Sequence, residues 1–147
     1  VRVNLVKGEW FDLYVAWKWE TKNNKDAFDI VIEGIPKRWN STQKDWVNSA
    51  NAVNEVGCIH TVQGYDLNYG FVILGPDIYY DSNKDAVNVN RANFKDAVAK
   101  KKASDDDLQK IIVNAYYALM TRGMLGTYLY VCDPALKEYL SRYIPAI

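Results

Sequence analysis

Residues 104–123 read Ser104-Asp105-Asp106-Asp107-Leu108-Gln109-Lys110-Ile111-Ile112-Val113-Asn114-Ala115-Tyr116-Tyr117-Ala118-Leu119-Met120-Thr121-Arg122-Gly123, and Thr127-Tyr128-Leu129-Tyr130-Val131 follows almost at once. Ser104 and Asp107 form a capping-box-like pair, and Asp105 to Asp107 put negative charge in a first helical turn. Leu108, Ile111, Ile112, Ala115, Tyr116 and Leu119 recur at three- and four-residue steps, which lays one apolar stripe along a helix of about four turns. Gly123 is a natural stop. The apolar run 127–131 reads as a strand. Asp133 and Pro134 then cap a last helix, Ala135 to Tyr143, that ends before Pro145.

Working outward, further short apolar runs occur at Val3–Val6, Leu13–Ala16, Asp29–Ile32, Cys58–Thr61 and Phe71–Leu74. Several are continuously apolar rather than alternating, which suits strands covered on both faces. Glu9–Trp19 has a second reading as helix. Segments 20–28, 36–56 and 76–103 are polar and Asn-rich and read as loops, with short helices around Gln43–Asn51 and Arg91–Lys101. Strands alternating with helices predict an α/β domain with a mostly parallel sheet flanked by helices.

The 147 residues make one domain, 1–147, large enough to bury a core. Eighteen basic and eighteen acidic side chains give zero net formal charge, so a nucleic-acid contact must be a local groove or be shared with another domain. Lys100-Lys101-Lys102 is the one basic run and reads as a solvated linker. Cys58 and Cys132 sit in apolar runs, as small hydrophobes of a cytoplasmic protein rather than as a disulfide framework. No apolar stretch approaches the roughly 18 residues that span a bilayer, and no signal peptide is visible. The opening Val1 suggests a segment excised from a longer chain.

Chemistry-bearing residues gather in two places. His60-Thr61-Val62-Gln63-Gly64-Tyr65-Asp66 follows one apolar run, and Thr121-Arg122 closes the capped helix. Ligands of open parallel sheets bind at the carboxyl ends of strands, which is where this reading expects the first segment. For Arg122 two readings stand: a cation that caps its own helix, or a guanidinium projected at a phosphate. His60, the sole histidine, is either an interior group or a contact residue, and Gly64 is either a turn residue or a point of close backbone approach. Trp17 and Trp19 either stack bases or pack beneath a neighbouring element.

Ile59-His60-Thr61-Val62-Gln63-Gly64-Tyr65-Asp66 followed by Phe71-Val72-Ile73-Leu74 resembles motif V of superfamily 1 helicases. Tyr117-Ala118-Leu119-Met120-Thr121-Arg122-Gly123 resembles motif VI. Val15-Ala16-Trp17-Lys18-Trp19, Val56-Gly57-Cys58 and Leu74-Gly75-Pro76-Asp77 extend the likeness to a family of bacterial and archaeal helicase-like ATPases related to the helicase domains of long Schlafen proteins. The resemblance implies a second, C-terminal RecA-like domain of the P-loop NTPase superfamily. Arg122 would be the arginine finger for the γ-phosphate of ATP. Gln63, Gly64 and Thr121 would border the nucleotide. Asp66, where the motif usually has Glu, would accept a ribose hydroxyl. His60 and Thr61 would face DNA or RNA.

The phosphate-cradling Gly-x-x-x-x-Gly-Lys-Thr/Ser loop is missing, since no Gly-Lys pair occurs in the sequence. The resemblance therefore implies that ATP and Mg²⁺ are held largely by a preceding N-terminal RecA-like domain, and that this chain alone is inactive. No zinc-ligand cluster and no nucleophile elbow is present, and no metal site is assigned. Modules of this family can be joined to endonuclease domains, and Pro76-Asp77 resembles a restriction-type acid. Glu20-Thr21-Lys22 precedes it rather than follows, so Asp77, Asp81 and Asp85 read as a solvated turn. A non-catalytic RecA-like interaction domain is the alternative.

Overall fold

A computed structural model describes residues 9–12, 16–62, 64–95 and 97–145. Eight strands and four helices occur in the order β1 (Glu9–Asp12), β2 (Ile30–Ile32), β3 (Ile35–Trp39), β4 (Glu55–Cys58), α1 (Ile59–Val62), β5 (Leu67–Leu74), β6 (Ile78–Asp81), β7 (Ala86–Val89), α2 (Ala97–Lys102), α3 (Asp105–Met120), β8 (Gly123–Val131) and α4 (Pro134–Ser141). The main sheet has the order β2-β3-β4-β1-β5-β8. Its pairings are parallel except for the antiparallel β2–β3 hairpin. The chain is thus α/β with a mostly parallel sheet. Strands β6 and β7 form a separate two-stranded hairpin.

Alternate residues of a strand face opposite sides, and β5 feeds two cores accordingly. Val72 and Leu74 join Val62, Leu67, Phe94, the α3 residues Leu108, Ile112, Tyr116 and Leu119, and Leu136 of α4. Ile73 faces the other way, into Ile30, Trp39, Val56 and Cys58. Trp17 and Trp19 pack against that second cluster, with the Trp19 and Trp39 rings 6.1 Å apart. Of the two readings of these tryptophans, packing beneath a neighbour is the one realised.

Helix α3 begins where its cap predicts. The Ser104 hydroxyl accepts the Asp107 amide at 3.2 Å and bonds the Asp107 carboxylate at 2.7 Å. Of its stripe, Leu108, Ile112, Tyr116 and Leu119 are buried, Ala115 is half-buried and Ile111 is exposed. The stop is Thr121, whose amide donates to Tyr117 O, and not a left-handed Gly123. Gly123 instead opens β8 because a Cβ there would press into Thr127 Oγ1 at 2.7 Å. Asp133 caps α4 by accepting the Leu136 amide at 2.7 Å, with Pro134 in the first turn.

Four further expectations are corrected. The strand expected at Cys58–Thr61 lies earlier, at Glu55–Cys58, and Ile59–Val62 is a helical turn. Ile59 and Val62 stand three residues apart, so one helical face carries both into the core. Segment 36–56, expected to be loop, begins inside β3. Segment 76–103 contains the β6–β7 hairpin. The Lys100–Lys102 run belongs to helix α2 rather than to a linker. The strand expected at Val3–Val6 and most of Leu13–Ala16 lie outside the described residues. Glu9–Asp12 is strand rather than helix.

Candidate functional site

Strands β5 and β8 run parallel from Leu67 and Gly123, which pair at the start of the ladder. The turn 64–66 and the pair Thr121–Arg122 immediately precede those residues. Both therefore stand at the amino ends of those two strands, whereas Ile59 and His60 directly follow the carboxyl end of β4, parallel to β5 through β1, which is where the sequence reading expects the first segment. A backbone bond joins the two amino ends, the Leu67 amide donating to the Arg122 carbonyl at 3.2 Å.

Directly after β5, Gly75 packs so tightly against Ala16 and Trp17 that a Cβ there would meet the Trp17 ring at 3.1 Å. A larger cleft of about 330 Å³ lies nearby, between Pro76, Ile78, Tyr79, Asn90, Cys132, Asp133 and Pro134. It holds none of the motif residues, and one oxygen of its Asp133 carboxylate is already taken by the amides of Tyr80 and Leu136.

Arg122 reaches from the amino edge into a cleft of about 150 Å³, which it lines with Ile59, His60, Val62, Ala118 and Leu119. Helix α1 supplies one wall and the last turn of α3 the other. The half-buried Arg122 guanidinium makes no hydrogen bond or ion pair with any described residue. Its backbone amide closes the helix on Leu119 O at 3.2 Å, so the side chain is not spent on capping carbonyls. An unpaired guanidinium over an apolar floor keeps its field and its five donors for an incoming anion.

Gly64 has φ +92°, a conformation L side chains rarely adopt, and nothing lies within 4 Å of the position a Cβ would take. The turn is thus open and glycine-dependent. Asp66 and Thr121 are exposed. The Asp66 carboxylate has no partner among the described residues, whereas the Thr121 hydroxyl donates to Ala118 O at 3.0 Å. His60 is exposed and lines the cleft with Arg122. Thr61 is turned inward, 4% exposed, with its hydroxyl 3.0 Å from the Cys58 thiol. That burial follows from the helical turn at Ile59–Val62 and removes Thr61 from the surface where direct contact with DNA or RNA was expected. Gln63 lies outside the described residues.

Sequence reasoning missed Asp77. It is fully buried rather than part of a solvated turn. Its Oδ1 accepts the Tyr116 hydroxyl at 2.7 Å, while Oδ2 has no hydrogen-bond partner among the described residues. Burial pushes its carboxyl up to about 6, against the opposing effect of the Tyr116 bond. Asp81 accepts the Asn83 amide and Asp85 the Tyr80 hydroxyl, both as local turn bonds. No group of three or more His, Cys, Asp or Glu among the described residues is placed to hold a metal ion. No helix among them is long and apolar enough to cross a membrane.

The family description "Schlafen group 3, DNA/RNA helicase domain" matches residues 12–133, which include both walls of the amino-edge cleft. The chain belongs to this Schlafen helicase domain family. It is also similar to the uncharacterized protein YPL245W of Saccharomyces cerevisiae, 41% identical over 129 residues, or 82% of this chain. The chain spans about 28% of that protein's length. That relative is fungal, outside the bacterial and archaeal range to which the sequence resemblance points. No solved structure matches the chain.

Proposed function

We propose that this domain is the second RecA-like half of a superfamily 1 helicase-type ATPase, and that it presents Arg122 to the phosphates of ATP held by a preceding domain. The observation that carries the reading is the unpaired Arg122 guanidinium, set at the sheet edge beside the open Gly64 turn. A phosphate chain fits this side: a permanent cation with a fixed donor fork, an apolar floor that sustains its field, and a glycine turn that admits close approach. Such a guanidinium stabilises charge spread over the transferring phosphoryl oxygens. When bound, Mg²⁺ would neutralise phosphate charge from the partner domain's side.

Asp66, exposed one residue before β5, is within the same turn and is assigned the ribose. Gln63, Gly64 and Thr121 are assigned to the border of the nucleotide. His60 shares the cleft with Arg122, and in this reading it passes nucleotide occupancy to a DNA or RNA strand, with Thr61 supporting it from beneath.

The test is ATP hydrolysis by the full-length protein that carries this domain. Arg122→Ala should lower kcat about 10³-fold or more while the fold is retained, and Arg122→Lys should not restore it. The 147-residue chain alone should not turn ATP over. An unchanged kcat in Arg122→Ala removes the residue from the mechanism. Turnover by the chain alone that vanishes in Arg122→Ala refutes the shared-cleft reading.

A further inference from the structure

Asp77 stands at the opposite edge of the sheet from Arg122, yet both are tied to α3 and β5. The Tyr116 hydroxyl donates to Asp77 Oδ1 at 2.7 Å and accepts the Gly75 amide at 3.0 Å. The amide of Asn90 donates to the Asp77 carbonyl at 2.7 Å, which fixes the turn from the far side. At the amino edge, the Leu67 amide holds the Arg122 carbonyl. Strand β5 and helix α3 are therefore clasped at both ends, by Gly75–Tyr116–Asp77 and by Leu67–Arg122. Tyr116 lies six residues before Arg122, which directly follows the helix's C-cap, Thr121.

From this closed frame we infer that Asp77 is a positioning residue for Arg122: its bond to Tyr116 sets where α3 lies along β5, and hence where the guanidinium enters the amino-edge cleft. The inference rests on the proposed role of Arg122 for its meaning, but its geometry does not. A fully buried carboxyl with one oxygen unpartnered is costly to keep in a core, and an aliphatic residue would pack there without that cost. The Tyr116 phenol bridges a donor, the Gly75 amide, and an acceptor, Asp77. Losing the acceptor leaves the clasp held by the Gly75 amide alone and so weakens it.

Protonation weakens the clasp without abolishing it: a neutral carboxyl keeps an acceptor for the Tyr116 hydroxyl but loses the charge that strengthens the bond. Tyr116 is the titratable group that faces the Asp77 carboxyl from α3, and the backbone amide of Asp77 itself faces it from the turn. Burial raises its carboxyl, the Tyr116 bond and its own amide lower it, and no charged side chain contributes. His60 lines the cleft beside Arg122, so the test is made in a background that lacks it.

The experiment is an NMR titration of the isotopically labelled chain, following the Asp77 Cγ and the Arg122 Nε–Hε resonances in a His60→Gln background. Arg122 Nε–Hε should shift with the same midpoint as Asp77 Cγ, and the shift should vanish in Asp77→Asn. Tyr116→Phe should also uncouple Arg122, while raising the Asp77 midpoint because a lowering hydrogen bond is lost. If Asp77→Asn does not fold, Tyr116→Phe decides. Titration of Asp77 with Arg122 unmoved, an Arg122 shift that survives the loss of the clasp, or no titration of Asp77 in the folded chain overturns the inference. None of these readouts requires ATP, so a failure of the proposed phosphate role is seen separately, in the kcat of the full-length protein.

Discussion

The Leu67 amide donates to the Arg122 carbonyl at 3.2 Å, and through that bond the first residue of β5 and the end of α3 share one edge of the sheet. Everything proposed for the domain depends on this placement. It sets Arg122, which shares a cleft with His60 of α1, at the same edge as the Gly64 turn, though 58 residues separate Gly64 from Arg122 in sequence. It also leaves the guanidinium without a partner among the described residues.

Asp77 makes stability depend on pH with a definite sign. Its carboxyl rises from 3.8 to about 6 on folding, so between those values the folded chain binds more protons than the unfolded one. Stability contributed by this residue is full below the unfolded value and is lost as pH rises through the folded one, by about 3 kcal/mol in all. Asp77→Asn keeps an acceptor for Tyr116 and removes the buried charge. It should therefore raise the unfolding midpoint at pH 8 and flatten its pH dependence between 4 and 7. A variant less stable than the parent at pH 8 would contradict this.

Gly57 is held by the indole of Trp46. A Cβ there would lie 2.9 Å from two ring carbons, and the ring is pinned by its N–H bond to Glu55 Oε2 at 2.7 Å. Gly57→Ala should cost about 1–3 kcal/mol through overpacking. Denaturant titration should show a lower midpoint at unchanged slope. An unaltered midpoint would mean the ring moves freely.

Ser104 satisfies the Asp107 amide at the start of the helix that carries Arg122. Ser104→Ala should cost about 1 kcal/mol, read as faster hydrogen exchange in the first turn of α3. Exchange at Thr121 and Arg122, at the other end, should not change.

The parts of the fold legible in the sequence were those fixed by local chemistry. Helix α3 and its Ser104 cap follow from a 3.6-residue period and a serine–aspartate pair, and the cores of β5 and β8 follow from continuous apolar runs. Strand β3 was not legible, because Pro36, Lys37 and Arg38 have no strand-like pattern. Their places depend on pairing with Ile30–Ile32 and with Glu55–Val56. Ile59 and Val62 look like strand residues, yet they serve as one face of a helical turn, which shifted β4 and misplaced Thr61. Asp77 gave no signal because burial of a polar turn residue is decided by Tyr116, 39 residues away. For the site, residue types pointed to His60, Gly64 and Arg122; the usual rule for parallel sheets holds for His60, just after the carboxyl end of β4, but not for Gly64 and Arg122, which precede β5 and β8. Directly after β5, Gly75 is packed against Ala16 and Trp17, a packing fact that no single segment reveals.

The most direct test of the central claim is binding of ADP with aluminium tetrafluoride, a mimic of the transferring phosphoryl group, to the full-length protein. A guanidinium that acts on the transition state should strengthen this complex far more than the ATP complex. Arg122→Ala is predicted to weaken the mimic about 10³-fold or more while ATP affinity changes little. Equal affinity of the variant and the parent protein for the mimic would contradict the account.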